Sequence, residues 1–368
     1  MKNVYSFNGI SGHWKDVDLT KDCGAIPFLL HKVYGYKAIM VSTKEKFENY
    51  PSLMTRVQGM VIEFLPTKKN FLEEQMDYVK QNFERIDVLV LYGAYTNYFN
   101  LLNVYKKLRP DGKVYIGLDA NSFWMDRIDW KSPKFSLFLS QCDVIGASSR
   151  IMQSYLSAKW PFKINYIPNG FYNFENIDMN FDFAEKENTI LTVGRIGTNQ
   201  KNNELLLEAF AMVASKLPNW KVRLVGPIEE QFKNYINEYF KRNAELKNKI
   251  IFVGELKSKA ALIKEYQKAK IFVLTSRLEG SPNVIAEAMF CGCYNIFTNF
   301  DIATETTENG RYGKIVNNKE ELARQFLISC RNQKVLLKGG KSALEYAQKN
   351  YDFNQIIKRL HYLMFKEG

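Results

Sequence analysis

Histidine is nearly missing from this chain, with three in 368 residues. The five cysteines, Cys23, Cys142, Cys291, Cys293 and Cys330, are odd in number and scattered. Neither set offers the spacing of a zinc or haem site, and Cys291-Gly-Cys293 is too tight a pair to close a structural zinc site unaided. The thiols are expected to be reduced, as in a cytoplasmic protein. Long apolar runs are lacking too. No stretch of about 18 uncharged apolar residues occurs, so no membrane-spanning helix is expected. The opening MKNVYSFNGISGHW has no apolar core of a secretory signal. A basic arm is absent as well: the net charge of +12 is spread over both halves. Such a charge suits anionic ligands or an anionic membrane surface, and no motif of nucleic-acid recognition accompanies it.

What is present is a large apolar content, 46% of residues, alongside 24% charged. That is a globular composition, and the length fits two domains better than one. Short apolar, β-branched runs alternate with stretches of helical period. NVYSF (3–7), KAIMVS (37–42), MVIEF (60–64), DVLVLY (87–92), KVYIGLD (113–119), DVIGAS (143–148) and INYIP (164–168) read as buried parallel strands. Polar and aromatic residues without a steady period follow Pro168-Asn169-Gly170, and the domain linker is placed there. The alternation then restarts with TILTVG (189–194), KVRLVG (221–226), KIIFVG (249–254), KIFVLTS (270–276) and YNIFT (294–298). The expected fold class is α/β, with two doubly wound, Rossmann-like domains facing a cleft. Their expected bounds are 1–171 and 172–350. A closing amphipathic helix, 351–368, is expected to pack back on the first domain.

Three elements of the second half carry chemistry. In VGRIGTNQKNNELLLEAF (193–210), Arg195 and Lys201 follow a strand end and precede a helix, a suitable setting for a diphosphate. The plain alternative is a solvated loop. In TSRLEGSPNVIAEAMFCG (275–292), a turn of small residues opens a helix between Glu279 and Glu287. Its free amides attract an anion, Pro282 fits the first helical turn, and the carboxylates suit paired hydroxyls. Here the alternative is a cap and a helix-dipole partner. In VGELKSKAALIKEYQKAKIFVLTS (253–276), the turn at Gly254-Glu255-Leu256 could hold a flat base, whereas Tyr266 reads as core.

Taken in order, Gly194-Arg195, Lys201-Asn202, FVGEL and SRLEGSPNVIAEAMFCG resemble the donor-binding half of the family 4 retaining glycosyltransferases of the GT-B fold, over residues 189–316. The resemblance implies a hexosyltransferase that moves a sugar from a nucleotide-diphosphate sugar, UDP favoured over GDP, with no metal and no further cofactor. Arg195 and Lys201 would bind the diphosphate, and Glu287 the ribose hydroxyls. Glu279 would contact the transferred sugar, with Gly280, Ser281, Pro282, Asn283 and Val284 against sugar and phosphate. Leu256 would receive the base. NYIPNGF resembles the segment entering the family's second domain. The first half matches less closely. TKDCGAIPFLLHKVYGYKA looks like a version found in capsule and surface-polysaccharide transferases, and Gly9, Gly12 and Gly24 stand where the family has a glycine-rich loop, Gly12 as a donor contact. Where many members carry a functional His, YIGLDANSFW (115–124) has Asp119, nominated as catalytic and acceptor-binding, and Asn121.

The expected acceptor is a glycan or a lipid-linked saccharide, met in the cytoplasm or at the inner face of the membrane. FWMDRIDWKSPKF (123–135) reads either as a peripheral membrane contact or as a polar loop over two buried tryptophans. The Asp16-Val17-Asp18 string is placed in a loop, outside the setting in which such strings hold Mg²⁺. The alternative function is a non-catalytic GT-B partner that binds glycan or steadies an active transferase.

Overall fold

The computed structural model describes residues 2–366 except 47 and 67. The chain divides into two compact units. One runs to Phe174 and takes in the stretch from Asn350 onward; the other is Glu175–Lys349.

The first unit is built on a seven-stranded parallel sheet. Its strands are β1 (Asn3–Phe7), β2 (Lys37–Ser42), β3 (Met60–Phe64), β4 (Val88–Tyr92), β5 (Lys113–Leu118), β6 (Val144–Ala147) and β7 (Ile164–Tyr166), in the order β3-β2-β1-β4-β5-β6-β7. Val4 is flanked by Ala38 on one side and Val88 on the other. Strands buried on both faces need apolar residues throughout, and VLVLY and KAIMVS supply them. Order reverses between β1 and β4, so crossovers leave by opposite faces there and the carboxyl ends of the strands stay open. Helix α1 (Asp22–Tyr34) packs against β1 and β2. A last helix, Phe353–Phe365, belongs to this unit and contacts α1. Phe353, Ile356, Ile357, Leu360 and Met364 recur at helical spacing and are buried with Trp14, Leu19 and Leu29.

The second unit repeats the design with six parallel strands. These are β8 (Glu187–Val193), β9 (Lys221–Val225), β10 (Ile250–Gly254), β11 (Ala269–Leu274), β12 (Tyr294–Thr298) and β13 (Gly313–Val316), ordered β10-β9-β8-β11-β12-β13. The switch in order falls between β8 and β11, whose ends carry Gly194 and Thr275-Ser276.

Four local expectations change. Strand β13 was not expected: GKIV is short, lies at the sheet edge and exposes Lys314, so it lacks a buried strand's apolar run. NELLLEAFAMVASKL (203–217), which reads as one amphipathic helix, is α-helical only over Asn203–Ala211. A 3₁₀ turn at Ala214–Lys216 follows it, so the apolar spacing to Leu217 continues without one continuous helix. Asp16-Val17-Asp18 opens a 3₁₀ turn, Asp16–Thr20, rather than a loop, and Asp16 accepts from the Ser52 amide at 2.9 Å and hydroxyl at 2.8 Å. Finally, Phe123 and Trp124 are 47% and 57% exposed, so that segment is not a polar loop over two buried tryptophans. The Arg127 guanidinium lies 3.6 Å from the Phe123 ring centre and 4.8 Å from that of Trp124.

Lys186 anchors one end of a helix that matters below. Its side chain is buried, and its ammonium donates to the carbonyls of Tyr266, Gln267 and Ala269 at 3.2, 2.9 and 2.9 Å. These carbonyls close the helix Lys259–Lys268, the negative end of its dipole. Three donors meet three carbonyl acceptors at the helix end, two of which also accept from the Cys293 thiol. Lys186→Met is expected to lower the stability of the second unit by about 2–4 kcal/mol, measured as an earlier urea transition of that unit.

Candidate functional site

The carboxyl ends of β8 and β11 each continue into a loop, and side chains tie the two loops together. The Arg277 amide donates to the Gln200 carbonyl at 2.8 Å, and Gln200 Nε2 donates to the Leu278 carbonyl at 3.0 Å. Arg277 also donates to the Asn199 carbonyl and to Asn202 Oδ1, and the Thr275 hydroxyl donates to the Lys201 carbonyl at 3.1 Å.

Within this join, Lys201 Nζ meets Glu279 Oε1 at 2.5 Å, and the Ser276 hydroxyl donates to the same oxygen. The two side chains are 14% and 6% exposed, so the pair is largely desolvated and each charge depends on the other. Gly194 makes room for it. Its φ of 151° strains an L residue, and a Cβ there would meet the Lys201 chain at 3.3 Å. Arg195, one residue on, is exposed and reaches Gln200 Oε1 at 3.2 Å.

Beyond Glu279, the helix Asn283–Phe290 begins with Pro282 as its N-cap, one position earlier than the first-turn place expected for it. Pro282 has no side-chain oxygen to cap the first amides, and a helix start of this kind favours an anion. Ser281 is buried, while Gly280, Pro282, Asn283 and Val284 are half-buried around it. Glu287 lies one turn in, 6% exposed, and Lys259 pairs with its Oε1. Its Oε2 and the Asn283 Oδ1 one turn earlier are both buried without a hydrogen-bond partner. Burial pushes the neighbouring Tyr266 phenol well up, and the Glu287 charge adds to that. Leu256 sits half-buried on the turn after β10.

Thus the fold joins Lys201 to Glu279 and places Glu287 on the adjoining helix, while Arg195 stays at the exposed rim. Ser276, Arg277 and Lys259 were not singled out from sequence. Arg277 acts on partners far along the chain and leaves no local mark; Ser276 acts on Glu279 three residues on, and a lone cation opening a helix was the one local signal at Lys259.

Asp119, Asn121 and Gly12 lie in the first unit. Asp119 directly follows β5 and accepts from Asn169 Nδ2 at 3.0 Å. Asn121 is buried and caps the short helix Ser122–Met125, accepting from the Trp124 amide. Gly12 has φ 69°, and a Cβ there would strike Phe71 at 2.7 Å, so close packing accounts for this glycine. Sequence reading overlooked Asp22, because an acid in a first helical turn looks like an ordinary dipole partner. Asp22 and Asp119 line one small cavity with Tyr92, Tyr115, Ser148 and Asn169. Burial, then the Asp119 charge, raises the Asp22 carboxyl to about 7. Among the described residues, no three His, Cys, Asp or Glu side chains gather where they could share a metal ion.

Comparison with known proteins places this geometry. Residues 173–346 match the family model described as glycosyl transferases group 1. The match takes in nearly the whole of the second unit. Curated relatives align over part of the chain. One is the GalNAc-alpha-(1->4)-GalNAc-alpha-(1->3)-diNAcBac-PP-undecaprenol alpha-1,4-N-acetyl-D-galactosaminyltransferase of Campylobacter jejuni, 27% identical over 50% of this chain and 48% of its own. Another is the amylovoran biosynthesis glycosyltransferase AmsD of Erwinia amylovora, 32% identical over 37% of each chain. The aligned part spans about half or less of these relatives' length. Solved structures match throughout. Anabaena Alr3699/HepE in complex with UDP superimposes with TM-score 0.74 at 15% identity, covering 100% of both chains. Sucrose-phosphate synthase from Thermosynechococcus elongatus gives 0.72 at 16% identity, covering 99% and 98%. At such identity the likeness concerns the fold, and the fold is GT-B.

The Asp22 carboxyl sets a pH expectation. Its folded pKa lies above the usual carboxylate value, so the stability tied to its protonated form is full below about pH 4 and lost as pH rises to about 7. Asp22→Asn is expected to flatten the fall in melting temperature of the first unit between pH 4.5 and 8, read by calorimetry.

Proposed function

We propose that this protein is a retaining glycosyltransferase that moves a hexosyl group from a nucleotide-diphosphate sugar, UDP favoured over GDP, to a glycan or lipid-linked saccharide in surface-polysaccharide synthesis. The observation that carries this reading is the desolvated Lys201–Glu279 pair at the strand ends, beside a helix start with Pro282 as its N-cap. Without donor the two charges satisfy each other. With donor, each has a better-matched partner: the ammonium takes diphosphate oxygens, and the freed carboxylate accepts from sugar hydroxyls.

As the bond from the anomeric carbon to the diphosphate breaks, negative charge grows on the leaving group. Lys201, Arg195 from the rim and the first amides of Asn283–Phe290 neutralise it where it develops. Glu287 Oε2 and Asn283 Oδ1, two orphaned acceptors on one helix turn, match the two hydroxyls of a ribose. Leu256 would lie against the base. In the first unit, Asp119 with Asp22 beside it supplies the carboxylates for the acceptor, one holding a proton near neutral pH. The UDP in HepE and the polysaccharide and undecaprenol names among the relatives support the donor and acceptor classes.

No helix of the described residues is long and apolar enough to cross a membrane. Exposed Phe123 and Trp124, with Arg127 stacked on both, suit contact with an anionic lipid surface that holds the acceptor.

Lys201→Ala should lower turnover about 10²–10³-fold, roughly 2–4 kcal/mol of transition-state stabilisation, with an unchanged circular dichroism spectrum. The assay is hydrolysis or transfer across a panel of UDP- and GDP-sugars. Near-normal turnover in that variant would reject the role. Phe123→Ser/Trp124→Ser should release the protein from phosphatidylglycerol vesicles in sedimentation, and undiminished binding would remove the lipid contact.

A further inference from the structure

Lys259 breaks a local rule. It is the first residue of the helix Lys259–Lys268, at the positive end of the helix dipole, and no acidic residue accompanies it in that first turn. A cation there is opposed by the helix amides. Local propensity therefore gives no reason for a lysine at this place, whereas Glu287 does. The Lys259 ammonium pairs with Glu287 Oε1, across 28 residues of sequence, and the carboxylate is 6% exposed. A charge buried so far needs a partner, and Lys259 supplies it.

The other carboxylate oxygen has none. Glu287 Oε2 is buried without a hydrogen bond. So is the hydroxyl of Tyr266, which stands two turns beyond Lys259 on the same face of the same helix. The Glu287 carboxylate acts on the Tyr266 phenol through its charge and through a hydrogen-bond interaction too poorly aligned to satisfy either buried atom. A carboxylate free to rotate would turn Oε2 to that hydroxyl and satisfy both groups. The ammonium on Oε1 opposes that rotation. Asn283 Oδ1, four residues before Glu287, is a second buried acceptor without a partner.

We propose that Lys259 is a positioning residue for the donor. It fixes Glu287 through Oε1, so that Oε2, with Asn283 Oδ1 beside it, stays available to the two ribose hydroxyls of the nucleotide. This rests on the nucleotide-sugar reading above. Lys259 touches neither the diphosphate nor the reacting carbon, so its loss falls on recognition of the ribose diol and spares the diphosphate.

The test measures binding of UDP, 2′,3′-dideoxy-UDP and inorganic diphosphate to the full chain by calorimetry. The wild type is expected to prefer UDP to the dideoxy compound by about tenfold or more. Lys259→Met should narrow that preference to within about twofold and leave diphosphate binding unchanged. In a Glu287→Gln background, Lys259→Met should have no further effect on the preference. Lys259→Gln serves as a second variant should Lys259→Met fail to fold, with the melting temperature as the control. A preference retained in both variants overturns the inference, and so does its equal loss with and without Glu287. A general weakening that includes diphosphate also overturns it, by marking a structural role. If the wild type binds UDP but shows no preference for the diol, Glu287 does not hold the ribose and the inference falls alone. If it binds neither UDP nor GDP, the nucleotide-sugar reading falls first.

Discussion

The site depends on one desolvated ion pair. Lys201 and Glu279 come from loops 78 residues apart in the chain, and neither charge could be buried alone. Pairing them obliges the loops after β8 and β11 to meet at the point where strand order reverses. The backbone bond from Arg277 and the side-chain bond from Gln200 follow from that meeting. A buried pair of this kind contributes little net stability against an apolar substitute. Its worth lies in being exchangeable, because a ligand that carries both an anion and hydroxyls can take each partner without leaving a bare charge behind.

The helix Lys259–Lys268 is held at both ends by lysines, through opposite physics. At its carboxyl end Lys186 works with the dipole and fills three carbonyl acceptors. At its amino end Lys259 works against the dipole and is held by Glu287. The first lysine fixes where the helix stops, and hence where β11 starts. The second links that helix to the carboxylate of its neighbour. Together they relate the position of Glu287 to the sheet more firmly than packing of Tyr266 alone would.

The two units meet charge differently. The second gathers cations and open amides at its strand ends, with acids as their partners. The first gathers acids. Asp22 and Asp119 share a cavity lined by tyrosines, and burial with mutual repulsion makes full ionisation of the two costly. A proton held near neutrality is the result, in a unit with few histidines to do that work.

Sequence alone determined the α/β class, twelve of the strands and the ordered glycine, cation and carboxylate pattern of the second half, because buried parallel strands and helix starts leave local signatures. It could not mark β13, whose four residues carry too little apolar pattern, nor the point at which the helix after Lys201 gives way to a 3₁₀ turn. Only tertiary structure decided that Lys201 pairs with Glu279, that Lys259 holds Glu287, and that Asp22 faces Asp119. Each of these depends on two groups distant in sequence being brought into the same water-poor space. There a charge is governed by its partner across the fold, and the residues beside it in the chain say little about which partner that is.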